Sequence, residues 1–96
     1  MTNFHAIVKA TRAAAAAQQA CSKYRREAAD WRDYAGSHRR LAASQPDGAD
    51  IKTACLEAAA TCDKRADAAD KRAKAAESRW RSARVVLINN PLPGDH

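Results

Sequence analysis

From residue 7 to 42, and again from 55 to 87, every inward position of a heptad holds an apolar or a small, near-neutral residue, and most of these are alanine. In the first stretch position a falls on Ile7, Ala14, Cys21, Ala28, Ala35 and Ala42, and position d on Ala10, Ala17, Tyr24, Trp31 and His38. In the second, a is Ala59, Ala66, Ala73, Trp80 and Leu87, and d is Cys55, Cys62, Ala69, Ala76 and Ala83. No charged residue occupies either seam, although 29% of the chain is charged. Exclusion of charge from one stripe at this period is the mark of paired α-helices. Asp63-Lys-Arg-Ala-Asp-Ala-Ala is followed by Asp70-Lys-Arg-Ala-Lys-Ala-Ala, an internal repeat one heptad long.

Turn chemistry divides the two stripes. Ser44-Gln45-Pro46-Asp47-Gly48 is the one strong cluster of helix breakers, and Pro46 cannot continue a helix. The pattern predicts helix 1 over about 3–44, capped by Thr2 or Asn3, a turn over about 45–49, and helix 2 over about 50–88, capped by Asp50. Asn90-Pro91 ends it, and residues 89–96 read as a flexible, extended tail. The fold class is all-α: one domain, 1–96, folded as an antiparallel two-helix coiled-coil hairpin with an alanine-rich seam.

Flanking charges predict the pairing register. The facing e edges would carry Arg25, Arg32 and Arg39 on helix 1 and Asp63, Asp70 and Glu77 on helix 2. Pairing Arg32 with Asp63 and Arg25 with Asp70 centres the reversal between Asp47 and Gly48, inside the breaker cluster. This register sets Trp31 beside Cys62 and Ala66, and Trp80 beside Ala14 and Ala17. Both Trp residues are then core wedges in alanine troughs rather than ligand platforms.

Composition limits what such a hairpin can do alone. Alanine supplies 25 of 96 residues, so two helices bury little apolar area per residue. Doubling into a four-helix bundle, as a homodimer, is the expected remedy. Tyr34 and Leu41 at position g, with Ala6, Ala13 and Ala20, widen the apolar stripe and point the same way. A smooth strip at position c of helix 2, Ala54, Thr61, Ala68, Ala75 and Ser82, could admit another helix at close range, although the helix propensity of alanine on an exposed face accounts for it without an interface. No apolar run reaches membrane-spanning length, and the N-terminus lacks a signal-peptide core. Three Cys is an odd number, and Cys55 and Cys62 lie two turns apart, which favours reduced thiols. The expected location is the cytoplasm, of a bacterial or phage-infected cell given the bias toward Ala, Arg and Asp.

Catalysis and cofactors find no foothold. The helical carboxylates have basic neighbours at helical spacing, and no nucleophile with an adjacent base or Gly-rich phosphate loop is present. His38, Cys55 and Cys62 lack the pair spacing of a structural zinc site. The chain reads as a non-enzyme without metal or cofactor. Secreted helical hairpins of this length carry a Trp-x-Gly turn; here Trp31-Arg-Asp-Tyr-Ala-Gly36 lies inside helix 1, so that signature is not met.

Charge singles out one region. Net charge is +6, yet residues 25–77 hold eleven bases and ten acids. The excess comes from Lys9, Arg12, Lys23, Arg79, Arg81 and Arg84, which a hairpin gathers around its open end, and residues 1–26 contain no acid. The same end is the most apolar: Phe4, Ile7 and Val8 should meet Val85, Val86, Leu87 and Ile88. Four consecutive apolar residues point around the whole helix, so one partner helix covers only part of them. These residues are the expected surface for dimerisation or docking. The leading functional expectation is a protein-protein interaction module, a small phage or mobile-element inhibitor or adaptor that docks on a larger protein with an acidic surface. A dimeric nucleic-acid-binding protein and a structural coiled-coil assembly protein are the alternatives.

Overall fold

The computed structural model describes residues 3–90, and these are all-helical: α1 spans Phe4–Ala43 and α2 spans Asp50–Asn89. No strand occurs among the described residues. The expected tail over 91–96 and the Thr2 capping alternative lie outside them. Asn3 caps α1, its Oδ1 accepting the Ala6 amide at 3.1 Å while its carbonyl accepts the Ile7 amide at 3.0 Å. The expectation for Asp50 needs correction. The Thr53 amide donates to the Ala49 carbonyl at 3.2 Å, which makes Ala49 the boundary residue and Asp50 the first helical one. Its carboxylate therefore lies in the first turn, where the positive end of the helix dipole favours it.

The connection is a short stack of local bonds. Ser44 and Gln45 donate their amides to the carbonyls of Leu41 and Ala42, tightening the last turn of α1. The Ala49 amide then bonds the Pro46 carbonyl, with Gly48 at φ +82° in the third position of that turn. A left-handed φ at this position suits glycine because it has no Cβ to clash. Lys52 Nζ reaches back to Asp47 at 2.6 Å.

The chain forms two compact units: Tyr24–Lys71, here the turn unit, and Met1–Lys23 with Arg72–His96, here the terminal unit. Both helices contribute to both. In the turn unit the helices run antiparallel, since Ala28 clusters with Ala66 and Ala69, whereas Ala35 clusters with Ala59 and Cys62. Trp31 packs on both clusters, as the sequence predicts. In the terminal unit the buried residues are Ile7, Ala10 and Ala17 on α1 and Ala73, Ala76 and Ala83 on α2. Every buried residue of the described chain is an a or d residue of the predicted heptads, and none is charged.

The ion pairs correct the expected pairing by one heptad. Arg32 bonds Asp70, with Asp67 at 3.8 Å, and Arg39 bonds Asp63. Arg32 therefore does not pair with Asp63. The alanine clusters keep the backbone level expected from the sequence; only the long side chains move on. Helical side chains lean toward their own N-terminus, and in an antiparallel pair the two leans add.

Candidate interaction surface

All six residues of the expected basic cluster, Lys9, Arg12, Lys23, Arg79, Arg81 and Arg84, lie in the terminal unit and are exposed. Their circumstances differ. Arg81 is held by Glu77 one turn earlier, at 2.8 Å. The Arg84 guanidinium lies 5.0 Å from the centre of the Trp80 ring, in cation–π contact. Lys9, Arg12 and Arg79 have no ion-pair partner among the described residues. A cation without a partner in its own chain is the kind best able to engage one from outside, because no internal bond is broken on docking.

Lys9 and Arg79 also stand on an open groove of about 510 Å³ between the two helices of this unit. Its floor is made by small side chains, Ala6, Ala10 and Ala13 from α1 and Ser82 and Ala83 from α2. Ser78 and Val86 also line it. The groove follows from the sequence: positions g of α1 carry only Ala here, so no side chain fills the cleft that a Leu or Glu would cover. It offers smooth apolar contact flanked by positive charge.

The expected apolar girdle divides. Ile7 is buried, and Val86 and Leu87 are half-buried, as the inward part of a two-helix contact requires. Phe4, Val8, Val85 and Ile88 remain exposed, Phe4 by 59% and Ile88 by 68%. Single exposed apolar residues are ordinary, but four within one unit are more than two helices can cover.

Trp31 is the wedge that the sequence predicts, but its ring is not enclosed. Neither Trp is fully buried. Trp31 meets Tyr34 edge-on, with ring centres 5.8 Å apart, and carries the Arg65 guanidinium 4.8 Å from its own centre. A ring at a seam lined by Ala is too wide for the trough, so one edge protrudes and an Arg covers it. The spacing of Trp80 and Arg84, four residues apart on one helix, was a readable signal for such stacking.

The three cysteines are free thiols, with Cys55 and Cys62 buried and Cys21 half-buried. Among the described residues no three His, Cys, Asp or Glu side chains come together as metal ligands, and no helix is long and apolar enough to cross a membrane. No protein-family model, no curated protein and no solved structure matches the chain.

Proposed function

We propose that the chain is a non-enzymatic protein-interaction module that docks on a larger protein through the terminal unit. The supporting observation is the coincidence, within that unit, of the unpaired Lys9, Arg12 and Arg79 with a small-residue groove and the exposed Phe4, Val8, Val85 and Ile88. An acidic protein surface suits the charge, and a helix on that surface suits a smooth groove between two helices. The role that fits is that of an inhibitor or adaptor of phage or mobile-element origin, acting in the cytoplasm as a homodimer in a four-helix bundle. Affinity capture from the native host, read by mass spectrometry, identifies the partner. Lys9→Glu with Arg12→Glu and Arg79→Glu is expected to abolish that capture while leaving the circular dichroism spectrum unchanged; undiminished capture overturns the site.

Nucleic acid is the second reading, favoured by the absence of any acid in residues 1–26 beside those three cations. It predicts binding whose affinity falls linearly with salt on logarithmic axes, by about 0.9 in slope per phosphate neutralised on duplex DNA. Absence of binding to DNA and RNA at low salt removes it.

A further inference from the structure

The terminal unit does not hold the only uncovered surface, and the other one lies on a unit with no net charge. From Tyr24 to Lys71 the sequence carries nine basic and nine acidic residues, so the whole excess of +6 falls on the remainder. Within this neutral unit the charges are also segregated. The e edge carries the Arg32–Asp70 and Arg39–Asp63 pairs. Near the turn, positions g hold Tyr34, Leu41, Ile51 and Ala58, and c positions Ser37, Ser44, Ala54 and Thr61 alternate with them, bordered by Asp30 on α1 and Arg65 on α2. Eight consecutive g and c positions are thus without charge, although 18 of the 48 residues in the unit are charged.

The three large residues of this face are uncovered: Tyr34 is 58% exposed, Leu41 45% and Ile51 49%. The serine and threonine hydroxyls of the face are already satisfied within their own helices. Ser37 Oγ donates to the Asp33 carbonyl at 3.1 Å, Ser44 Oγ to that of Leu41 at 2.7 Å, and Thr61 Oγ1 to that of Glu57 at 3.1 Å. Burying the face would leave none of these three hydroxyl donors unmet, which lowers the penalty for covering polar groups. Tyr34 is braced edge-on by Trp31, so a large aromatic anchor is held in place before anything docks.

We propose that this g and c face of the turn unit is where a second copy of the chain docks. The proposal rests on the reading of the chain as self-associating and assigns the interface to a different surface from the basic one. Charge decides the occupant. A two-fold interface brings a surface against itself, so it must be self-complementary. No charged residue stands at these eight positions of a neutral unit, and the Arg40 guanidinium reaches onto the face, donating to Ser37 Oγ at 3.1 Å; apposing two terminal units would instead oppose two bodies of like charge. Small c residues let the helices of the second copy come close, as in a four-helix bundle. The terminal unit, with its groove, is then left for the heterologous partner.

Light scattering across a dilution series tests the assignment. Tyr34→Glu with Leu41→Glu is expected to halve the mass and keep the helical circular dichroism, while Val85→Glu with Ile88→Glu keeps the dimer. The milder Leu41→Ser with Ile51→Ser, which adds no charge, is expected to raise the dimer dissociation constant about tenfold or more. A dimer that survives both changes to the turn unit but is lost with Val85 and Ile88 overturns the assignment and leaves self-association standing. A wild-type chain that is monomeric at every concentration overturns both.

Discussion

Arg32 donates to Asp70 and not to Asp63, although the alanines on either side of it are level with the residues that the sequence sets opposite them. Clustered alanines of α1 and α2 have numbers that sum to 94 or 97, whereas Arg32 with Asp70 and Arg39 with Asp63 both sum to 102. Alanine reports the backbone because its side chain is one carbon long. Arg and Asp report where their tips arrive, and each tip leans toward its own N-terminus by about half a heptad, roughly 5 Å. In α1 that lean is away from the turn and in α2 toward it, so the two add to one heptad. Any antiparallel pair read from its charges alone inherits this offset.

A double-mutant cycle checks the assignment. The guanidinium of Arg32 has its pKa raised, first by the hydrogen bond to Asp70 and then by the charge of that carboxylate. A raised base contributes stability that is fully present below its unfolded pKa and is lost only as pH climbs through the folded one. For Arg that window is strongly alkaline, so the contribution stays constant through neutral pH. Coupling between Arg32→Ala and Asp70→Ala, measured from denaturation midpoints, is expected to exceed that between Arg32→Ala and Asp63→Ala, and to shrink as salt rises. Equal couplings would restore the simple register.

The two described helix-associated glycines should respond to Ala with opposite sign. Gly36 lies inside α1, and a Cβ there would meet only Arg40 Nη1, at an ordinary 3.4 Å. Gly36→Ala is expected to stabilise by about 0.5–1 kcal/mol, raising Tm by several degrees. Gly48 has open space for a Cβ but a φ of +82°. Gly48→Ala is expected to lower Tm through backbone strain alone. Thermal unfolding followed at 222 nm reads both.

The seam should be sensitive both to gain of bulk at its enclosed alanines and to loss of its wedge. Ala35, Ala66, Ala69 and Ala76 have no exposed surface, so Ala66→Leu must push the helices apart and is expected to cost about 1–3 kcal/mol or more. Trp31→Ala removes the wedge shared by both alanine clusters. Its ring is only half-buried, which places the expected loss near the lower end of aromatic truncations, about 3 kcal/mol. Chemical denaturation of each variant gives the values. A Leu tolerated at residue 66 would mean that the helices are not in close contact there.

How far the sequence was readable depended on how many residues carried each signal. The helices, the turn and the seam were legible because they rest on a repeated pattern: twenty-one seam positions agree, and one aberrant residue would not have hidden the period. The cap at Asp50 and the partner of Arg32 each rest on a single side chain whose direction the pattern does not encode. The partial exposure of Trp31 and Trp80 was hidden for a related reason, since a heptad position gives orientation but not whether a wide ring fits the gap between two alanine helices. Ile51 was overlooked as a surface feature because it stands in the first turn of α2, beside the breakers, where a lone apolar residue makes no stripe. Tyr34 and Leu41, at the same heptad position and also exposed, lie on the other helix, so no pattern along one helix joins them to it.

Thiol chemistry offers a direct reading of how the seam opens. Cys55 and Cys62 are buried seam residues in the turn unit, each 7% exposed, and Cys21 is a half-buried seam residue of the terminal unit. An alkylating reagent added to the native protein is expected to label Cys21 first, located by peptide mass mapping. Cys55 and Cys62 should be labelled only as fast as the helices around them separate, since both are buried and Cys62 clusters with Ala35 and Ala59. Their labelling rates, divided by those of the unfolded chain, give the opening equilibrium of the turn unit. If a second copy docks on the g and c face, those two rates should fall with rising protein concentration, because a ligand that binds only the closed form suppresses opening by mass action. Rates independent of concentration would place the dimer contact elsewhere.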